Sequence, residues 1–137
     1  MYSLWKQSSV ILLLTLVGAA YSLLSGIAPV PWAEPEIGPG EIRLGAAQAL
    51  DVIWIDARSR EEFSREHIPG AIHFDSTSEA DSLLRVLELW LEAPRTIVVY
   101  CADERCGTSR KVADELRANL PDAEIYSLKG GWQTWAD

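Results

Sequence analysis

Hydrophobic side chains along this chain fall into continuous runs and periodic runs, and the kind of run predicts the element. "VILLLTLVGAAYSLLSGIA", Val10 to Ala28, is apolar throughout and holds no charged side chain. As a helix it spans about 28 Å at roughly 1.5 Å per residue, close to the hydrocarbon thickness of a bilayer. "DVIWIDA", Asp51 to Ala57, is a shorter continuous run ending in Asp, the pattern of a strand covered on both faces. "TIVVYC" and "AEIYSL" predict two further strands, and "IPGAIHF" a turn at Pro69 and Gly70 followed by a brief one. Between them the period changes. Ser59 with Glu62 three residues on predicts a capped short helix that buries little except Phe63. "SEADSLLRVLELWLEA" sets Leu83, Leu84, Leu87 and Leu91 on one helical stripe, stopped by Pro94. "SRKVADELRANL" repeats the helical spacing through Val112, Ala113 and Leu116, and "GGWQTWAD" closes the chain, with Trp132 and Trp135 placed for core packing on a terminal helix. Strands alternating with helices predict an α/β domain with a mainly parallel central sheet.

The first run sets the organisation of the chain. Lys6 is the only charged side chain before Glu34, whereas Glu34, Glu36 and Glu41 follow the run. Residues 1–33 therefore read as a transmembrane anchor with its N-terminus in the cytoplasm and the remaining chain in the periplasm or another exterior compartment. A cleaved signal peptide is the alternative, with Gly18, Ala19 and Ala20 as its small-residue site, and it exports the same domain. Against cleavage, apolar character continues past Ala20 through Leu23, Leu24 and Ile27. Pro29 to Gly40, rich in proline and glycine, predicts a semi-extended linker. The folded domain is predicted from Glu41 to Asp137.

Composition narrows the partners. The 137 residues are 48% hydrophobic, enough for one core, and carry a formal net charge of −8. With a pI near 4.7 and no basic cluster, a nucleic-acid backbone is an unsuitable partner. The two cysteines, Cys101 and Cys106, both fall in "VVYCADERCGTSRKVADEL", where a strand stops and a helix is about to start. Such a loop offers unpaired backbone N–H groups and the positive end of a helix dipole, which favour a thiolate at Cys101 and a bound anionic group. Position alone leaves three roles for Cys101: nucleophile, half of a local Cys101–Cys106 bridge, or inert core thiol. His67 before the Ile-Pro-Gly turn is expected to bond backbone, and no set of ligands predicts a metal site.

Three ordered motifs give the domain a family resemblance. "VIWIDARSREEFSREHIPGAIHF", "IVVYC" with its loop and helix, and "LKGGWQTWAD" together resemble the rhodanese-like domain over about Glu41 to Asp137. The resemblance implies a three-layer α/β domain and a sulfurtransferase cycle needing no cofactor. In it Cys101 attacks the outer sulfur of thiosulfate or a persulfide, becomes a persulfide, and passes that sulfur to a thiol acceptor or cyanide. It implies substrate binding by Ala102, Asp103, Glu104, Arg105, Cys106, Gly107, Thr108 and Ser109, with Arg58 and Arg110 as accessory groups. The loop departs from the family's short form. It is about two residues longer, Thr108 stands where arginine is usual, and Asp103 and Glu104 add negative charge where an anionic donor approaches. Longer loops in that superfamily belong to phosphatases and arsenate reductases, whose arginine grips an oxyanion; Gly107 stands here instead. Cys106 either pairs with Cys101 in an oxidising compartment, as a lock or after persulfide breakdown, or packs under the loop. A sulfur- or partner-binding module without turnover, and a thiol–disulfide protein using both cysteines, are the rival readings.

Overall fold

The computed structural model describes residues 2–26, 36–103 and 105–136. The chain divides into two compact units, Met1–Glu36 and Ile37–Asp137. Among its described residues the first holds one helix, α1 (Tyr2–Leu24). Its Trp5–Leu24 stretch has a mean hydropathy of 1.7 and is long and apolar enough to cross a membrane. The helix starts earlier than the predicted run and ends sooner, because Gly26, at φ 67°, takes the left-handed conformation that closes helices. Glu34 and the linker through Pro35 lie outside the described residues.

The second unit runs β1 (Glu41–Ile42), α2 (Leu44–Gln48), β2 (Val52–Asp56), α3 (Arg60–Arg65), β3 (Ile72–His73), α4 (Glu79–Glu92), β4 (Thr96–Tyr100), α5 (Thr108–Asn119), β5 (Ile125–Leu128) and α6 (Gly131–Ala136). The five strands form one sheet in the order β1-β5-β4-β2-β3. Every neighbouring pair is parallel. The hydrophobic pattern predicts neither β1 nor α2, since a strand of two residues is too short to show a period.

Side-chain alternation along the strands builds two cores. Ile53, Ile55, Ile97, Val99 and Ile125 face α4 and α5, meeting Val86, Val112, Ala113 and Leu116. Val98, Tyr100 and Leu128 face the other way, toward Ala47 of α2 and Trp132 and Trp135 of α6. Both faces are covered, which is why β2 and β4 read as continuous apolar runs. Side chains as buried as Ile55 and Val99 each contribute roughly 1.5–3 kcal/mol. The structure corrects the stripe on α4. Ser82 and Val86 are its buried residues, with Leu83, Leu87 and Trp90 packed beside them. Leu84 and Leu91 remain 55% and 63% exposed. The buried face is centred on Val86, and Ser82 belongs to it because its hydroxyl receives the Asp75 amide at 3.0 Å.

Candidate active site

The site begins where the two longest strands end together. Asp56 and Tyr100 are register partners at the carboxyl ends of β2 and β4, and the Ala57 amide donates to the Tyr100 carbonyl at 2.9 Å. Asp56 is fully buried and its carboxylate is held by Arg58 through Nη2 at 2.7 Å and Nε at 3.0 Å. The Tyr100 hydroxyl donates to the same carboxylate and receives the Ile68 amide at 3.2 Å. Burial, then this bond to Asp56, pushes the Tyr100 hydroxyl well above its ordinary value. Arg58 also donates to the Glu66 carbonyl at 2.7 Å and lies 4.3 Å from the Trp132 ring centroid. Its guanidinium therefore fastens the strand ends and braces α6.

One residue past Tyr100, Cys101 continues the alternation toward α5 and is 1% exposed. Its backbone is clamped from behind. The Trp132 amide donates to the Cys101 carbonyl at 2.7 Å and the Gln133 amide to the Ala102 carbonyl at 3.3 Å. Gly131 makes that approach possible, since a Cβ there would lie 2.5 Å from the Cys101 oxygen, and its φ is +61°.

In front, the Sγ atom meets the start of α5. It lies 3.4 Å from the Ser109 hydroxyl, which in turn bonds Ser127 of β5 at 2.9 Å, and it also receives the Ser109 amide. Two carbonyl oxygens face the same sulfur, that of Cys106 at 3.1 Å and that of Asp103 at 3.6 Å. Carbonyls accept, so these contacts suit a thiol. Burial, followed by a hydrogen bond to the Cys106 sulfur, pushes Cys101 up to about 11, against the lowering by Ser109. The expectation of a lowered Cys101 pKa is thus reversed, because here desolvation outweighs the helix start.

The anion-favouring groups surround Cys106 instead. Burial opposes its thiolate, but bonds from the Cys101 thiol, the Thr108 amide and hydroxyl, and the Ala102 amide outweigh it and lower its pKa. No side chain caps α5 at Gly107, and its first amides turn to the two sulfurs. Asp103 takes two more loop amides, those of Arg105 at 2.8 Å and Cys106 at 3.1 Å. Both cysteines are free thiols.

The remaining expected site residues are spread unevenly. Arg105 is exposed on the loop, Thr108 opens α5 against the Cys106 sulfur, and Glu104 lies outside the described residues. Arg110 pairs with Glu41 at 3.4 Å. His67 donates to the Phe63 carbonyl at 2.9 Å and His73 to that of Arg58 at 2.9 Å. No group of three or more metal-ligating side chains gathers among the described residues. Sequence reasoning passed over Ser127, whose signal was a hydroxyl inside the apolar strand "IYSL".

Comparison with known proteins supports the same segment. Residues 43–137 match the sequence profile of the Rhodanese-like domain. A thiosulfate sulfurtransferase, GlpE, of Pseudomonas syringae pv. syringae is 30% identical over 92 residues, covering 65% of this chain and 79% of that protein. A tRNA sulfurtransferase of Desulfurococcus amylolyticus is 38% identical over 81 residues, 59% of this chain and 14% of that one. A crystal structure of a Bacillus halodurans protein superposes with a TM-score of 0.56 at 24% identity, covering 70% of each chain, a likeness of fold. Since the profile match takes in every strand from β2 to β5 and both cysteines, the chain belongs to the rhodanese-like domain family.

Proposed function

We propose that the domain is a sulfurtransferase that carries sulfane sulfur as a persulfide on Cys101, on a membrane-anchored chain with the domain outside the cytoplasm. The observation that carries this reading is the buried Cys101 thiol at the carboxyl end of the sheet's central strand, held between Ser109 and the Gly131–Trp132 backbone. Relatives named as sulfurtransferases match 65% and 59% of this chain.

In the first half-reaction the Cys101 sulfur attacks the outer sulfur of the donor. With thiosulfate the S–S bond breaks, sulfite leaves with the bonding pair, and the Cys101 proton passes to the new terminal sulfur. The Ser109 amide and hydroxyl favour the ionised form of Sγ as its proton leaves. In the second half-reaction a thiol or cyanide takes the terminal sulfur.

The loop favours a persulfide over thiosulfate as donor. Two of its amides are already held by the Asp103 carboxylate, and that charge repels a dianion. No metal or organic cofactor enters these steps.

The test is a single turnover of the full chain in detergent, reduced and freed of small thiols. Thiosulfate or glutathione persulfide is added, and released sulfite or glutathione is measured. One equivalent per chain is expected, faster from the persulfide, and none from Cys101→Ser. Donor cleavage that survives Cys101→Ser would falsify the assignment.

A further inference from the structure

The persulfide cycle of Cys101 uses one sulfur of the loop, yet the structure brings a second against it. The Cys101 Sγ lies 3.1 Å from the carbonyl oxygen of Cys106, and the two thiols share a hydrogen bond. A carbonyl oxygen sits about 2.4 Å from its own Cα, so Sγ lies within about 5.5 Å of the Cys106 Cα by standard backbone dimensions. With the two sulfurs already hydrogen-bond partners, a bridge calls for a local closing of the loop. Cys106 is also the more accessible of the pair. Its sulfur receives the Ala102 amide and both donors of Thr108, the groups that stabilise a thiolate.

We propose that Cys106 is a resolving thiol that attacks the inner sulfur of the Cys101 persulfide, forming a Cys101–Cys106 disulfide and expelling the outer sulfur as hydrosulfide. The proposal rests on the persulfide reading and names the first acceptor within it. The step balances. The Cys106–Cys101 S–S bond forms as the bond between Cys101 Sγ and the outer sulfur breaks, and that sulfur leaves as HS⁻ with the bonding pair. The two cysteines lose two electrons together and the sulfane sulfur gains them, so no outside oxidant enters. Two equivalents of an external thiol then reduce the bridge, leaving as their own disulfide and restoring both cysteines.

Geometry favours this outcome over delivery to a free thiol. Cys106 already touches the inner sulfur from within the loop, whereas an external thiol must first reach a residue that is 1% exposed. Attack within one loop also gains the effective concentration of an intramolecular reaction. The class of reaction becomes reduction of sulfane sulfur to sulfide, driven by thiols.

The experiment uses the reduced full chain in detergent, with thiosulfate or glutathione persulfide and no other thiol. Intact mass, released hydrosulfide and a peptide map are recorded. Wild type is expected to release one hydrosulfide per chain and lose about 2 Da, with Cys101 and Cys106 in one linked peptide, whereas Cys106→Ser and Cys106→Ala stop at a persulfide about 32 Da heavier. A wild-type chain that keeps the extra sulfur and releases no hydrosulfide overturns the resolving role and leaves the persulfide standing. A wild-type chain that neither cleaves donor nor changes mass overturns both.

Discussion

Cys101 and Cys106 are hydrogen-bonded neighbours whose surroundings push their two thiols in opposite directions. Cys101 is pushed up to about 11 and Cys106 is lowered, so Cys106 ionises first as pH rises and Cys101 keeps its proton longest. The sign follows directly. A raised value means the folded chain holds that proton past the ordinary 9.0, so its contribution to stability is complete below about 9 and is lost as pH rises through about 11. We expect iodoacetamide at pH 7.5 to label Cys106 before Cys101, with Cys101 labelling rising only in strongly alkaline solution. Peptide-resolved mass spectrometry against pH reads both rates, and Cys106→Ser should move the Cys101 midpoint down by removing the sulfur that helps raise it. Labelling of Cys101 first would show the proton assignment reversed. The place of Cys101 at a strand end was legible from "VVYC". The solvation of its sulfur was not, because carbonyls from Asp103 and Cys106 face it only once the loop has folded back.

Among the elements, the short α6 has more influence on the site than its length suggests. Its first amides hold the Cys101 and Ala102 carbonyls, and Gly131 permits the contact at φ +61°. Gly131→Ala should cost at least about 1–2 kcal/mol from the left-handed backbone alone, with the clash against the Cys101 oxygen added. Urea denaturation should show the lower midpoint, and donor cleavage should fall with it. Gly107→Ala, where an added Cβ meets nothing within 4 Å, should shift stability by no more than about 0.5 kcal/mol. Equal losses in the two variants would remove the special role of Gly131. The glycine-tryptophan motif was readable as a family feature, and Trp132 and Trp135 as core. That its amides clamp the cysteine was not readable, since the contact joins residues far apart in sequence. On α4 the stripe held in part. Of Leu83, Leu84, Leu87 and Leu91, Leu83 and Leu87 pack on the core, while the sheet centres the buried face on Val86, accepts Ser82 with its hydroxyl bonded, and leaves Leu84 and Leu91 exposed.

At the scale of the molecule, a helix long and apolar enough for a bilayer precedes an acidic α/β domain. The full chain should float with phosphatidylcholine vesicles in a density gradient, whereas residues 37–137 alone should stay with the water-soluble fraction. Flotation of both, or of neither, would remove α1 as the anchor. The strands, their order of alternation and the two covered faces were legible, because a buried parallel sheet writes continuous apolar runs. The entry strand β1 was not, and its key residue is polar. The Glu41 carboxylate receives the Gly38 amide at 2.9 Å and pairs with Arg110 and Lys129, each at 3.4 Å. The Gly38 amide first, then Lys129 and Arg110, hold its pKa below the ordinary 4.5 against the cost of burial. Glu41 thus ties the point where the chain enters the domain to the first turn of α5, one residue from the serine that holds Cys101. A pull on the backbone arriving at Gly38 is met there by the two cations that hold Glu41, as a cable is secured at the wall of an instrument.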